Sequence, residues 1–388
     1  MGILVFLAVV VGVLGLIHLY LWQRLVRDTA RPGWRRRVGG IGLLAGALLV
    51  LAAVLAGPLP RRYESWLAGP GYLWLGVMFY LLVLLLLGEL PVLVIRLAQR
   101  RHARRTGTLA ADPGRRLLLR RGAAVAAGVA AVGVSGFGVW RAYAPPRVTR
   151  LQVPLARLDR RADGLRVAVI ADLHVGPLFG RRQVERVVDL VNSLDADLVT
   201  VVGDLVSTEV GAVARDAVPL RRMRSRYGTF FVTGNHEYYH GYEEWLEAAD
   251  DLGLRVLRNE RVEVAHRGGA IDLAGVNDRE GSRFDDPPDY AAALGDRDPS
   301  RPVVLLAHQP VQVHQAAGYG VDLQLSGHTH GGQVYPFDYL VRLDQPMVSG
   351  LAEIDGTQVY VTDGAGFWGP PMRVGADPEV TLLELRSG

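Results

Sequence analysis

Four long apolar stretches begin this chain and limit what its first third can form. They cover residues 1–22, 38–58, 71–95 and 122–140. At a rise of about 1.5 Å per residue, a helix of each length crosses a hydrocarbon layer about 30 Å thick. A cleaved signal peptide is the alternative for the first stretch, but its basic residues follow the apolar run instead of preceding it. The sequence therefore predicts a transmembrane domain of four helices at residues 1–140.

Arginine sets the predicted orientation of these helices, because the chain contains no lysine. Six arginines follow the first stretch and nine follow the third, whereas the loop between the second and third stretches carries only Arg61 and Arg62. Loops rich in basic residues stay in the cytoplasm, so everything after Trp140 is predicted to lie outside it. The predicted localisation is the cell membrane, multi-pass, with an extracytoplasmic C-terminal domain. Arg115-Arg116 is either a plain basic flank or part of a twin-arginine export signal.

Charge divides the chain at the same place. Residues 1–140 hold 17 arginines and 4 acidic residues, and the remainder holds 26 arginines and 35 acidic residues, so the overall charge of +4 combines +13 with −9. An acidic second part argues against a nucleic-acid partner, which needs a basic face. The absence of cysteine excludes disulfides and thiolate metal sites. We expect a linker at 141–160, stiffened by Pro145-Pro146, and one domain at 161–388.

Five short polar segments follow apolar runs in that domain. The runs cover residues 165–170, 198–202, 230–232, 303–307 and 321–325. The polar segments are Asp172-Leu173-His174, Gly203-Asp204, Gly234-Asn235-His236-Glu237, His308 and Gly327-His328-Thr329-His330. Such runs are typical of strands buried on both faces, whose carboxyl ends gather their loops in one crevice. We therefore expect these oxygen and imidazole donors to converge.

The kinds of donor indicate a metal site. Taken singly, His174 or His308 would be an ordinary hydrogen-bonded histidine. Carboxylate, amide and imidazole together, without thiolate, suit ions such as Mn²⁺, Fe or Zn²⁺. Two such ions about 3.5–4 Å apart can polarise one phosphoryl group and lower the pKa of a shared water. The ordered series of segments therefore predicts a two-metal hydrolase.

In this order and context the segments resemble the calcineurin-like metallophosphoesterases, over roughly residues 160–388. The stretches 327–334 and 364–373 look most like the membrane-associated bacterial branch of that family. The resemblance implies an α/β fold in which an N-terminal four-helix transmembrane domain is followed by two facing mixed β-sheets flanked by helices. Periodicity alone predicts only that strands alternate with helices.

The resemblance also implies the role of each residue. The implied metal ligands are Asp172, His174 and His330 for one ion, Asn235, His308 and His328 for the other, and Asp204 as a bridge between them. His236 would be the catalytic histidine, contacting the phosphate and assisting the leaving group, and Glu237 would orient it. Two divalent ions are expected, Mn²⁺ first, with Fe or Zn²⁺ as alternatives. Ser207 departs from the family pattern, in which many relatives carry an acidic residue.

Together these features predict a membrane-anchored binuclear metal-dependent phosphoesterase that hydrolyses a phosphodiester or pyrophosphate bond of a lipid-linked substrate, with membrane lipids as partners. One alternative is a phosphodiesterase or nucleotidase acting on soluble nucleotides. Another is a non-enzymatic membrane sensor or scaffold, which the intact ligand set disfavours.

Aromatic residues in two late loops support the lipid-linked prediction. The apolar residues concerned are Tyr335, Phe337, Tyr339, Leu340, Phe367 and Trp368. They are interpreted either as an apolar rim that meets the outer leaflet or a lipid tail, or as ordinary core aromatics.

Overall fold

The computed structural model describes residues 2–57, 59, 61–106 and 113–388. Clustering of contacts divides the chain into two compact units, Met1–Phe137 and Gly138–Gly388. The second unit therefore begins inside the last apolar helix, before the linker that the sequence predicts.

The first unit is helical. Its helices are α1 (Gly2–Leu21), α2 (Trp34–Val54), α3 (Arg61–Thr106) and α4 (Pro113–Ala142), of which α4 ends in the second unit. A π-helical turn, Trp22–Arg27, extends α1. The four helices contain apolar spans of 20, 21, 29 and 26 residues, long enough to cross a membrane. The prediction of four apolar helices of membrane-spanning length is confirmed.

Small residues bring α2 and α3 close together. A side chain at Gly46 would lie 2.4 Å from the indole nitrogen of Trp74, and one at Gly71 would lie 2.4 Å from Cβ of Ala53. Close approach through small residues is the usual way in which helices pack in lipid, where no hydrophobic force drives them together. The Trp74 indole N–H also donates to Nε2 of His18 on α1 at 3.2 Å. The bundle is thus held by packing and by an interhelical hydrogen bond.

The second unit alternates strands with short helices. In chain order its strands are β1 (Arg147–Leu155), β2 (Leu165–Ile170), β3 (Leu198–Val202), β4 (Thr229–Val232), β5 (Leu254–Val256), β6 (Glu260–His266), β7 (Gly269–Gly275), β8 (Val303–Leu306), β9 (Leu323–Ser326), β10 (Gly350–Ile354), β11 (Thr357–Val361) and β12 (Glu379–Ser387). Its helices are α5 (Arg181–Asn192), α6 (Val210–Ala217), α7 (Asn235–Tyr239), α8 (Tyr242–Asp251), α9 (Tyr290–Leu294), α10 (Val313–Ala316) and α11 (Asp338–Val341).

The strands form two mixed six-stranded sheets. The first has the order β1-β12-β2-β3-β4-β5, and the second has the order β10-β11-β9-β8-β7-β6. Strands β2 to β5 run parallel to one another, as do β7, β8, β9 and β11, so each sheet gathers several carboxyl ends on one side. This topology agrees with the predicted α/β fold of two mixed sheets.

The two sheets face each other across an apolar core. Alternation along β2 sends Val167 and Val169 into this core, together with Leu306 of β8, and sends Ile170 to the opposite face. There it packs with the helices, of which α5 contributes Val187 and its neighbours at helical spacing. Because of that alternation, one face of the first sheet packs against helices and the other packs against the second sheet, as the predicted fold requires.

The predicted linker at 141–160 is wrong for part of its length. Residues Arg147–Leu155 form β1, which pairs in parallel with β12 over nine residues. Pro154 is compatible with the strand because β1 lies at the edge of its sheet, where a missing N–H is tolerated. Pairing with a strand about 230 residues later is invisible to local patterns, and the prolines made the segment resemble a spacer.

Candidate metal centre

The five predicted polar segments meet at the carboxyl ends of β2, β3, β4, β8 and β9. Backbone hydrogen bonds tie neighbouring segments to one another. The N–H of Asp172 donates to the carbonyl of Gly203 at 3.1 Å, and the N–H of Gly327 donates to that of His308 at 3.0 Å. Since parallel strands present their carboxyl ends on the same side, donors far apart in sequence become neighbours.

Their side chains form overlapping groups of possible metal ligands. The groups are Asp172, His174 and His330, then Asp204, His308 and His328, and then His174, Asp204 and His236, each with its ligand atoms within 4.8 Å of one another. Asp204 links them, because its Oδ2 lies 3.5 Å from Nε2 of His174 and 3.3 Å from Nε2 of His308. A carboxylate between two groups of ligands is the arrangement that a bridging residue needs.

Asn235, the remaining predicted ligand, begins α7 beside these groups. Its Oδ1 is buried and has no hydrogen-bond partner among the described residues. Buried polar atoms are nearly always paired, so an unpaired amide oxygen indicates a missing partner. A cation would supply it.

Hydrogen bonds at the rear of two rings leave their other nitrogens free for a metal. Nδ1 of His308 lies 2.8 Å from the carbonyl oxygen of Val202, which can only accept, so Nδ1 carries a proton and the neutral ring presents the lone pair of Nε2. Nδ1 of His174 lies 2.9 Å from Oγ of Ser207. Ser207, the departure from the family pattern, therefore contacts a candidate ligand and can fix its tautomer.

The loops that carry these residues are held in an unusual backbone conformation. Five of the candidate ligands have positive φ: Asp172 at 57°, His174 at 50°, Asp204 at 51°, His328 at 71° and His330 at 52°. Residues other than glycine rarely adopt this left-handed region, at a cost of order 1–3 kcal/mol each. The concentration of backbone strain at these ligands indicates that the positions of their side chains are maintained at a cost in local stability.

Two glycines make the crowding possible. A side chain at Gly234 would lie 2.2 Å from Oδ1 of Asp204, and one at Gly327 would lie 2.4 Å from Oδ2 of Asp172. Both contacts are too short for any Cβ, so only glycine allows these strand ends to approach the carboxylates. Steric crowding therefore explains why Gly234 and Gly327 are glycines.

Burial keeps most of these imidazoles neutral, which is the form that binds metal. It lowers the pKa of His174 and His330 well below their usual value and the pKa of His328 to about 3. The ring nitrogens of His174 and His330 lie only 2.9 Å apart, closer than two lone pairs tolerate without a proton or metal ion between them.

The carboxylates show where positive charge is needed. Burial raises the pKa of Asp172 to about 7, partly offset by His308. Burial opposes ionisation of Asp204 as well, but the charge and hydrogen bond of His308 outweigh it and hold the pKa of Asp204 well below the usual range. In return, Asp204 and Asp172 raise the pKa of His308 well above its usual value, against burial. A cation at this point would replace the charge of that proton, so the donor set fits divalent metal.

Glu237 bonds to backbone groups of the site. Its carboxylate accepts the backbone N–H groups of Gly234 at 2.6 Å, Asp204 at 3.0 Å and Leu205 at 2.8 Å. None of these bonds involves the His236 ring. Burial and the charge of Asp204 raise the pKa of Glu237 to about 8, while the backbone N–H groups lower it. Glu237 therefore joins two loops of the site, one of which carries Asp204. Its role in orienting His236 stays a prediction.

His236 lies beside the metal-ligand groups and is oriented through Asp204. Its backbone N–H donates to Oδ1 of Asp204 at 2.9 Å, and its ring packs edge-on to that of His174 at 4.5 Å. Burial lowers its pKa, and its Nδ1 has no partner among the described residues. The side chain is thus neutral and available to a substrate.

An aromatic rim surrounds His236. The ring centres of Tyr239 and His240 each lie 5.7 Å from that of His236, and the ring centre of Trp368 lies 6.3 Å from it. Tyr239 is 50% exposed and Trp368 is 53% exposed. These two side chains are accessible to a ligand at the site.

The adjacent Phe367 is a different case. It is buried and packs against Tyr143 and Phe179, with ring centres 5.3 and 5.8 Å apart. The interpretation of Phe367 as part of an exposed rim is wrong, because successive residues at this point face opposite ways. Exposed apolar side chains are found, as the rim requires, at Tyr335, Phe337, Tyr339 and Leu340.

Arg373 supports the site and was not recognised as a functional residue from the sequence. Its buried guanidinium donates to the carbonyl oxygens of His330 and Asp363, both at 2.7 Å, of Gly364 at 3.1 Å and of Gly366 at 2.6 Å. It therefore binds the loop of one candidate ligand to the glycine-rich loop. Burial lowers its pKa to about 10, which still leaves it charged at neutral pH. The only local signal was an arginine within the glycine- and proline-rich segment 364–375.

Comparisons with known proteins agree with this geometry. A family model described as calcineurin-like phosphoesterase matches residues 165–332. An uncharacterized metallophosphoesterase of Helicobacter pylori is 40% identical over 70% of this chain and 73% of its own length. The transmembrane protein with metallophosphoesterase domain of Danio rerio is 34% identical over 98% of this chain and 89% of its own length. An uncharacterized metallophosphoesterase of Campylobacter jejuni is 31% identical over 99% of this chain and 98% of its own. The chain therefore belongs to the calcineurin-like metallophosphoesterases, a family of metal-dependent phosphoester hydrolases.

Proposed function

We propose that this protein is a membrane-anchored binuclear phosphoesterase that cleaves a phosphodiester or pyrophosphate bond of a lipid-linked substrate. The binuclear part rests on Asp204, whose carboxylate belongs to two of the three groups of candidate ligands and lies beside His174 of the other group. One ion would be held by Asp172, His174 and His330, the other by Asn235, His308 and His328. When bound, two divalent ions, Mn²⁺ or alternatively Fe or Zn²⁺, polarise the phosphoryl group and make hydroxide available near neutral pH.

His236 would act on the substrate directly. It is almost buried and beside the ligand groups, and its Nδ1 has no protein partner among the described residues. Its ring would contact a phosphoryl oxygen and, when protonated, pass that proton to the departing oxygen. Because burial lowers the pKa of the ring, its protonated form is a stronger acid than free imidazole. The backbone bond to Asp204 fixes His236 relative to the metal ligands.

The lipid-linked part rests on exposed apolar surface close to where the chain enters the second unit. The carbonyl of Gly138, near the C-terminal end of α4, accepts the N–H of Arg373 at 2.9 Å. The carbonyl of the next residue, Val374, accepts the N–H of Tyr335 at 2.8 Å. Tyr335 begins an exposed segment in which Tyr339 is 61% and Leu340 56% exposed. Two backbone hydrogen bonds thus connect the exposed segment that begins at Tyr335 to the apolar helix α4. Such a segment suits contact with lipid.

A soluble nucleotide is the second candidate substrate. Trp368 and Tyr239 flank His236, and exposed aromatic rings can stack on a nucleobase as well as guide a lipid. A non-enzymatic sensor or scaffold has less support, because the predicted carboxylate and imidazole ligands form overlapping groups at one site.

Replacing Trp368 with serine tests the choice between substrates. We expect Trp368→Ser to raise KM for a lipid-linked phosphodiester roughly 10-fold, since a stacked or buried aromatic contributes about 1–3 kcal/mol. Hydrolysis of a small chromogenic phosphodiester should change less than 2-fold, because its chemistry lies at the metal ligands. Steady-state kinetics of the full chain in detergent with added Mn²⁺ would measure both.

Tyr319→Ser is the matched control, since Tyr319 is 38% exposed but precedes β9, at the end opposite to His328. Equal losses on both substrates in Trp368→Ser would contradict a role in substrate selection. A rise in KM for soluble nucleotides alone would favour the nucleotidase alternative.

We also propose that the second unit is extracytoplasmic, on the strength of the arginine distribution. A C-terminal alkaline phosphatase fusion should be active, and a C-terminal green fluorescent protein fusion exported through the general secretion route should be dark. Truncations that place the same reporters after Gly57, in the loop between α2 and α3, should give the same pattern. The reverse pattern at the C-terminus would place the active site in the cytoplasm.

A further inference from the structure

A basic cavity lies within the first unit, and none of its lining residues belongs to the metal centre. It has a volume of about 630 Å³ and is lined by the loop after α1, the start of α2 and the early part of α4. Three of its lining residues are Arg31, Arg35 and Arg121, all exposed. Three positive charges around one cavity indicate an anionic ligand.

The acidic residue nearest in sequence does not neutralise these arginines. Asp28 pairs instead with Arg24 at 3.2 Å and with Arg120 at 3.6 Å. Among the described residues, Arg31 and Arg35 have no carboxylate partner. The Nε–H of Arg121 donates to the carbonyl oxygen of Thr29 at 2.9 Å, which holds this side chain against the loop after α1.

The start of α2 adds an independent reason for an anion. This 21-residue helix has no acidic residue in its first turn, and its N-cap, Gly33, offers no side chain to the free N–H groups. Its first turn carries Arg35, Arg36 and Arg37 instead. Basic residues are unfavourable at the positive end of the helix dipole, and an anion there would offset both the dipole and the arginines.

The rest of the cavity is apolar and matches a lipid. Leu25 and Val125 line it, and Trp34, which also lines it, is 70% exposed. From Val125 an apolar stripe continues along α4 through Val129 and Val132, which are 70% and 62% exposed. Tryptophan with arginine is typical of the membrane interface, and a basic pocket between helices at that depth suits a lipid phosphate. A soluble phosphate has no apolar group that could contact this stripe.

We propose that this cavity binds the headgroup of an anionic phospholipid from the leaflet on the side of the arginine-rich loops. The phosphate is held by Arg31, Arg35, Arg121 and the first N–H groups of α2. An acyl chain lies along the stripe that begins at Val125. The site is separate from the proposed hydrolase site and does not depend on it.

Native mass spectrometry of the full chain tests the proposal. The protein is delipidated in detergent and titrated with phosphatidylglycerol or phosphatidylcholine, and inorganic phosphate is used as a competitor. The test variant is Arg31→Gln/Arg35→Gln/Arg121→Gln. The matched control, Arg27→Gln/Arg101→Gln/Arg115→Gln, removes the same number of charges from exposed positions that do not line the cavity.

We expect one phosphatidylglycerol to bind more tightly than phosphatidylcholine, and the test variant to bind it roughly 100-fold more weakly than the control, from the energy typical of arginine near an anionic lipid. Millimolar phosphate should not displace it. Phosphodiesterase activity and circular dichroism confirm that both variants are folded. Equal binding of both lipids, equal loss in both variants, or full displacement by phosphate would each overturn the proposal.

Discussion

Asp204→Asn is expected to lose both metal ions and, with them, phosphoester hydrolysis. The Asp204 carboxylate contacts His174 on one side and His308 on the other, at 3.5 and 3.3 Å. An asparagine keeps the size of the side chain but removes the charge that two cations share, and its amide nitrogen cannot serve as a ligand. Elemental analysis of the purified protein should show less than one ion per chain, with turnover near background.

His236→Ala is the companion variant that separates metal binding from chemistry. Because His236 is not one of the proposed metal ligands, its loss should leave the metal content unchanged. The rate should fall roughly 10²–10³-fold, the usual effect of losing a general acid or a charge-stabilising group. Asp355→Asn, at an exposed carboxylate paired with His314, is the control and should change neither quantity. Two ions and normal turnover in Asp204→Asn would refute the binuclear proposal.

The convergence of the ligands could be predicted because it depends on a regular property of the fold. The polar segments after β2, β3 and β4 had to meet once those apolar runs formed neighbouring parallel strands. The same logic works for β8 and β9 in the second sheet. What mattered was the position of each donor at the end of a strand, which the sequence displays directly.

Contacts that depend on loop geometry could not be predicted in this way. Glu237 accepts the N–H groups of Asp204 and Leu205, where the backbone at Asp204 is left-handed, at φ 51°. Phe367 is in the core and Trp368 is exposed, although the sequence offers two equivalent aromatic residues. At Phe367 and Trp368 the chain has left regular structure, so no periodicity indicates which of the two side chains points inward.

Arg373 is the extreme example of a residue whose importance appears only in three dimensions, and its replacement should be severely destabilising. Arg373→Met keeps the length of the side chain but leaves the carbonyl oxygens of His330, Asp363, Gly364 and Gly366 without their donor in a buried place. Removing one partner from a buried charged network costs about 3–5 kcal/mol. For a unit of this size that corresponds to a fall in Tm of roughly 10 °C.

Differential scanning calorimetry of the full chain in detergent would measure this fall, with Arg386→Met as the control. Arg386 is about 40% exposed and pairs with Asp163 and Glu384, so its loss should cost less than about 1 kcal/mol. Arg373→Lys should lie between the two, because an ammonium has three donors and cannot reproduce the fork of the guanidinium. If the carbonyl contacts hold the His330 loop in place, metal content should be highest in the unchanged protein, lower in Arg373→Lys and lowest in Arg373→Met. A methionine variant that melts with the control and binds both ions would show that the loop keeps its shape without the arginine.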